Sequence, residues 1–309
     1  MRRVLGPWQF LRKQSSYLEA HTRVRGRPIQ LSIAEKVPRI RALQHRLQLN
    51  DIPADALARS LIDGTSTLDY VNNTGLSRFG RTLLSFYALR HFMIKYPRLP
   101  SHVLKHLVHQ YTSMPALAEH AKLWGIQPDN RSSLGRYLSG EEDTDGLGFL
   151  SYSDKIQEVE PGIQKIQSGS AVTSLTDAMG GCVRAIVASV YAHRGLELVE
   201  QFVSQYIIEP RQVDLTQIMA FSKPTRELSV LCAREGMEPP VSRLLAESGR
   251  FSSQAVFVAG VFSGDMKLGE GQGTSLNEAR TRAAVNALQG WYLFSPKASN
   301  YVDAGEVVI

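Results

Sequence analysis

Residues 72–93 read NNTGLSRFGRTLLSFYALRHFM: a turn, then a long amphipathic stretch with Arg78 and Arg81 near its start and no acid. Leu76, Phe79, Leu83, Phe86 and Tyr87 recur at helical spacing. They predict a helix from Gly75 to Tyr96 with these side chains on one side. The YPRLP that follows stops it. The absence of acid reaches further than the helix: from Tyr70 to Ala118 there is neither Asp nor Glu. A surface helix normally mixes its charges, so a stretch this long without a carboxylate asks for a reason.

Working outward, the chain has 309 residues, 43% of them hydrophobic, enough for two globular domains with tails. No apolar run reaches the length of a membrane span; the best, Cys182–Ala192, is cut by Arg184. Cys182 and Cys232 lie far apart, with no metal or disulfide spacing, which favours a reducing interior. The net charge of +6 is uneven. Residues 1–50 hold 11 Lys/Arg against Glu19 and Glu35, giving +9 and leaving −3 for the rest. A basic arm on a near-neutral body fits a polyanion partner or a targeting sequence. The first 28 residues have one acid, several Arg and a few Ser, the composition of a mitochondrial presequence.

Pro28 and Pro38 interrupt the arm. DIPADALARSLID (51–63) predicts a short helix with Asp51 as N-cap and Pro53 in its first turn. Ser101–Tyr111 and MPALAEHAKLWGI (114–126) predict two more. Residues 139–174, rich in Gly, Ser and acid, read as a solvated loop. Helix resumes from Ser174 to Ile208, with Leu175, Met179, Cys182, Ile186, Val190 and His193 as a stripe and small residues between them. After a linker at 211–223 the pattern changes. PTRELSVLCAREG predicts a helix; VSRLLAESG, QAVFVAGVFSG and MKLGEGQGT predict three strands. A last helix follows, opened by a capping box of Ser275 and Glu278.

Residues 224–293, with their GEGQGTS turn and small-residue EARTRAAVNAL face, resemble the double-stranded RNA-binding domain. Such domains read A-form RNA by shape, phosphate and 2′-hydroxyl. The family usually places several Lys in the first turn of its second helix. Here Leu276 and Asn277 stand there, and Arg280 alone keeps a charge. The loop between the first two strands, SGRFSSQ, keeps Arg250 but lacks the family's Pro and His. Val230 stands where the first helix usually offers Glu. Duplex binding and packing against protein both remain open for this domain.

NNTGLSRFGRTLL resembles the first signature of the ribonuclease III family, H-N-E-R-L-E-F-L-G-D-[SA]-V-L, through Asn73, Leu76, Gly80 and Leu84. AMGGCVRAIVASVYAHRGL (178–196) resembles the second, A-D-x-F-E-A-[LI]-[IV]-G-A-[IV]-Y-L-D-G-G, through Ala185, Ile186, Tyr191, Gly195 and Leu196. The resemblance spans about 51–210, and MPALAEHAKLWGI looks like the family's intervening helix. It implies an α+β chain: an all-α ribonuclease III-like domain followed by an α-β-β-β-α RNA-binding domain at 224–295 and a tail at 296–309.

That family's chemistry uses two pairs of carboxylates, at i, i+4 and i, i+3, each pair on one helix face, to hold Mg²⁺ for phosphodiester hydrolysis. The matching positions are Ser77, Arg81, Gly181 and Arg184. None is an acid and two are cations, so the resemblance implies a scaffold without its metal site, no cofactor, and no nuclease activity. The acid-free helix is the expected trace of that loss. His102, His106 and His109 share a helix side without companion ligands and read as a solvated or RNA-facing surface. Gly269–Gly273 lacks the Lys-Ser/Thr of a phosphate loop and reads as a plain turn, and Trp124 and Trp291 read as core.

Together these features resemble the ribonuclease III-related proteins of the mitochondrial large ribosomal subunit. The resemblance implies ribosomal RNA and other large-subunit proteins as partners, a location in the mitochondrial matrix, and a dimer or pseudo-dimer with another ribonuclease III-like domain. An inactive partner subunit of an RNA-processing nuclease and an active double-stranded RNA endonuclease remain alternatives. The expected RNA contacts are Arg2, Arg3, Arg12, Lys13, Arg23, Arg25 and Arg27 on the arm, and Arg250, Lys267, Arg280 and Arg282 in the last domain.

Overall fold

The computed structural model describes residues 26–66, 68–129, 146–153, 173–250 and 255–296. Its helices are α1 (Leu31–Ala34), α2 (Pro38–Arg46), α3 (Ala54–Ser60), α4 (Thr74–Lys95), α5 (Ser101–Thr112), α6 (Met114–Leu123), α7 (Leu175–Arg194) and α8 (Leu196–Val203), the last running into a π turn over Ser204–Ile208. After α9 (Leu215–Ile218) come α10 (Pro224–Arg234), β1 (Val241–Ser248), β2 (Val256–Ser263), β3 (Met266–Gly273) and α11 (Leu276–Tyr292). The fold is α+β. Two compact units divide the chain between Leu89 and Arg90, Leu107 and Val108, and Gln212 and Val213.

The first unit is helical and built around α7. From Ala178 to Val190 every residue of α7 is buried, not one stripe of it. Gly180, Gly181, Ala185, Ala188 and Ser189 make this feasible, because small side chains let neighbouring helices close in on several sides. Ser174 caps α7 by accepting Asp177 N–H, and Gly195, at φ +82°, ends it where few side chains could. Asn73, 1% exposed, fixes the start of α4: its Nδ2 donates to Ser60 O at 2.9 Å and its N–H to Ile62 O at 2.8 Å.

Several expectations are corrected here. The described part of the basic arm is folded. Ala34, Ile40, Leu43, Leu47 and Leu49 are buried, and Pro38 starts α2 instead of breaking the chain. The apolar residues of LQHRLQL outweigh the charges between them. Asp51 does not cap α3; Pro53 holds that place, and Asp51 takes the Arg194 guanidinium instead. The expected solvated loop is partly interior. Leu147 and Leu150 are buried, with Leu150 N–H on Gln127 O at 2.9 Å and Ser151 N–H on Leu61 O at 3.0 Å. Phe86, expected on the apolar side of α4, is exposed.

In the second unit β1, β2 and β3 form an antiparallel sheet in that order, with the helix-first and helix-last topology expected from the sequence. The core joins Leu228, Leu231 and Cys232 of α10 to Val261 and to Ala283, Ala284, Ala287 and Leu288 of α11. Gly269 to Gly273 is not a turn but the body of β3. A Cβ on Gly269 would stand 2.7 Å from Ala287 N, one on Gly273 2.8 Å from Ala279 N, and one on Gly271 would overlap Ala283 N. Alternate glycines on the strand thus meet alanines spaced four apart on the helix. Ser275 accepts Glu278 N–H at 3.2 Å as expected, but Glu278 reaches back to Thr274 N–H at 2.9 Å, one residue earlier than a standard box.

Candidate nucleic-acid interface

Ser77, Arg81, Gly181 and Arg184 come from α4 and α7, which cross at Gly80. A Cβ there would overlap the Arg184 carbonyl oxygen. The crossing brings the four positions together. A Cβ on Gly181 would stand 3.5 Å from Ser77 Oγ and 4.0 Å from Asp63 Oδ1, and Arg81 lies close enough to Arg184 to disfavour its charge. Arg184 is 9% exposed. Its Nη2 donates to Thr112 O at 2.7 Å, while Nε has no protein partner. Burial first, then Arg81, holds the Arg184 pKa below its ordinary value, with Asp177 opposing. An arginine is so basic that it stays charged nonetheless. Asp63, near Gly181, is turned to its own loop, accepting Thr65 N–H at 3.0 Å and Thr65 Oγ1 at 2.8 Å.

The chemistry of this cluster is that of a cation pocket, not a cation-binding pocket. Mg²⁺ needs hard anionic oxygens, and two guanidiniums repel it. Among the described residues no group of three or more His, Cys, Asp and Glu is arranged to hold a metal ion. His102, His106 and His109 are exposed along α5. A buried histidine escaped the sequence reading: His120, 2% exposed, with neither ring nitrogen bonded to protein. Burial, followed by nearby Arg211, lowers its pKa, and Glu119 opposes this.

The expected RNA contacts separate sharply. Arg2, Arg3, Arg12, Lys13, Arg23 and Arg25 lie outside the described residues. Arg27 is no free arm cation: its Nε meets Asp69 at 3.2 Å, and its backbone bridges to Tyr70. In the second unit Lys267 pairs with Glu270, Arg282 with Glu278 at 2.6 Å and Arg250 with Glu247 at 3.5 Å. Arg280 is exposed and has no acid partner among the described residues. Residues 224–295 hold seven Lys/Arg and seven Asp/Glu, so this domain has no net charge.

The sequence reading also missed Arg98. Its guanidinium lies 4.0 Å from the Trp291 ring centre and 4.4 Å from that of Phe294. Nothing local in YPRLP announces partners nearly two hundred residues away. Trp124 is core, at 5% exposure, whereas Trp291 is only partly buried. No helix among the described residues is long and apolar enough to cross a membrane.

A family model described as the MRPL44 dsRNA-binding domain matches residues 219–306. The large ribosomal subunit protein mL44 of Neurospora crassa is 31% identical over 361 residues, covering 87% of this chain and 81% of that protein. Ribonuclease 3 of Symbiobacterium thermophilum is 26% identical over 219 residues, 70% of this chain and 77% of that one. Among solved structures, Dicer from Pichia stipitis covers 75% of this chain and 92% of that chain at 16% identity. The TM-score of that match is 0.34.

Proposed function

The chain belongs to the mL44 family of large ribosomal subunit proteins, and from that premise we propose that it is a structural component of the mitochondrial large ribosomal subunit. It binds ribosomal RNA and neighbouring proteins through a ribonuclease III scaffold that no longer cleaves. The observation that carries the reading beyond membership is Arg184: a buried guanidinium beside Arg81, at a crossing that also holds Ser77 and Gly181. These are the places where the ribonuclease III resemblance would put its four carboxylates. A retained fold with its metal ligands replaced by cations suits a protein kept for shape and contact.

Pairing with a second ribonuclease III-like domain is part of the proposal. Phe86 and Leu89 project from α4 at 54% and 39% exposure, and Leu196, 57% exposed, lies beside the same turn through the Tyr87 Oη bond to its carbonyl. Apolar groups gathered in this way are best covered by a partner. In an asymmetric particle a related but different chain fits more readily than a second copy.

The deciding experiment is sedimentation of a mitochondrial lysate at moderate salt, following the native protein. Recovery with the large subunit supports the reading. Recovery in a smaller complex with an active RNA-processing nuclease would replace it.

A further inference from the structure

We propose that Arg90–Leu107, the acid-free segment that falls in the second unit, is a phosphate-binding surface for RNA, supplying cations to an α-β-β-β-α domain whose expected contacts keep only Arg280 clear of an acid among the described residues. The inference rests on the RNA-binding reading above and gives it a location.

Affinity for RNA comes largely from cations that displace counterions from phosphates. The domain at 224–295 is poorly supplied: its charges cancel, and Lys267, Arg282 and Arg250 each face an acid of the same domain. Residues 90–107 have the opposite composition, with Arg90, Lys95, Arg98 and Lys105 and no Asp or Glu. The unit boundaries at Leu89/Arg90 and Leu107/Val108 put this segment in the domain's unit.

The segment is anchored there by Arg98, held over the rings of Trp291 and Phe294 at the end of α11. A cleft of about 400 Å³ opens around this contact, with Pro97, Pro100 and Tyr292 in its wall. Glu235, also in that wall, is engaged by Arg234 at 2.9 Å. Cation–π contact leaves the charge of Arg98 intact and its side chain exposed. Lys95 and Lys105 are exposed too. On α5, Val103 and Leu107 are buried, while His102, Lys105 and His106, at i, i+3 and i+4, face solvent. That face offers donors and no apolar anchor, which suits a phosphate backbone better than a protein surface.

The test uses the full chain and a short mixed-sequence A-form RNA duplex, with affinity measured across a salt series. Replacing Lys95 and Lys105 together by Gln should lower the salt slope by about 1.8, two contacts at ~0.9 each. The Lys95→Arg/Lys105→Arg pair should keep it, and circular dichroism checks that both variants are folded. An unchanged slope in the Gln pair overturns the proposal. So does polyglutamate that competes as well as the duplex at equal charge, since the surface would then serve an acidic protein. Sedimentation of the unaltered chain with the large subunit is unaffected by either result, so this proposal can fail while the ribosomal reading stands.

Discussion

The carbonyl oxygen of Arg184 occupies the space that a side chain on Gly80 would need. Helices α4 and α7 therefore touch backbone to backbone, and the positions flanking the contact, Ser77 and Gly181, are drawn together. Changing Gly80 to Ala must push the helices apart or bend one of them. Overpacking of this kind costs about 1–3 kcal/mol or more. Thermal unfolding of Gly80→Ala should show a clear loss of Tm; melting with the unaltered chain would mean that the crossing lies elsewhere.

The same cluster sets the expectation for chemistry. Duplex RNA incubated with the pure protein and Mg²⁺ should remain intact, because Arg81 and Arg184 stand where the resemblance puts acids. Cleavage that disappears on substitution of Ser77 or Arg184 would refute this directly.

His120 gives a prediction in pH. Its pKa is lowered in the folded chain by burial and by Arg211, so the folded state holds the neutral ring while the unfolded chain takes up a proton below about 6.5. The unfolded state then binds more protons in the window below that value, and stability falls as the pH falls through it. Above that value this contribution is flat. In His120→Leu the acid-side loss should shrink, read as the difference in Tm between near-neutral and mildly acidic buffer.

The basic arm can be cut in two ways, with different expected results. A chain beginning at residue 26 should keep its stability, since it retains Ala34, Ile40, Leu43, Leu47 and Leu49 in the core. One beginning at residue 51 loses all five and should unfold at much lower temperature. If the arm grips RNA, the first truncation also removes Arg2, Arg3, Arg12, Lys13, Arg23 and Arg25, each worth about 0.9 in salt slope where it meets a phosphate. An unchanged slope after that cut would assign these residues to targeting alone.

For the apolar group on α4, Phe86→Glu should abolish association with a ribonuclease III-like partner without lowering Tm, because the side chain is exposed. Undisturbed association measured by analytical ultracentrifugation with the captured partner would place the contact on another face.

What the sequence determined by itself was local. Apolar spacing located α4 and α7, because helical period is read within one element, and α5, α6, α10 and α11 were also legible. The stretch read as one helix from Ser174 to Ile208, however, is broken at Gly195 into α7, α8 and a π turn. The three strands were legible from Gly/Val alternation and the turns between them, and the loss of acids from the signature helix was visible without coordinates. Tertiary structure decided everything that depends on a partner distant in the chain. Asp51 looks like a cap until Arg194 arrives from 143 residues away. Gly269, Gly271 and Gly273 look like a turn until α11 is laid across them. Residues 31–49 look like a charged arm until the first unit encloses their few apolar side chains. Arg98 has no visible role until Trp291 and Phe294 stand beneath it. Charge and burial are properties of an environment, and a residue's own neighbours in sequence supply only part of it.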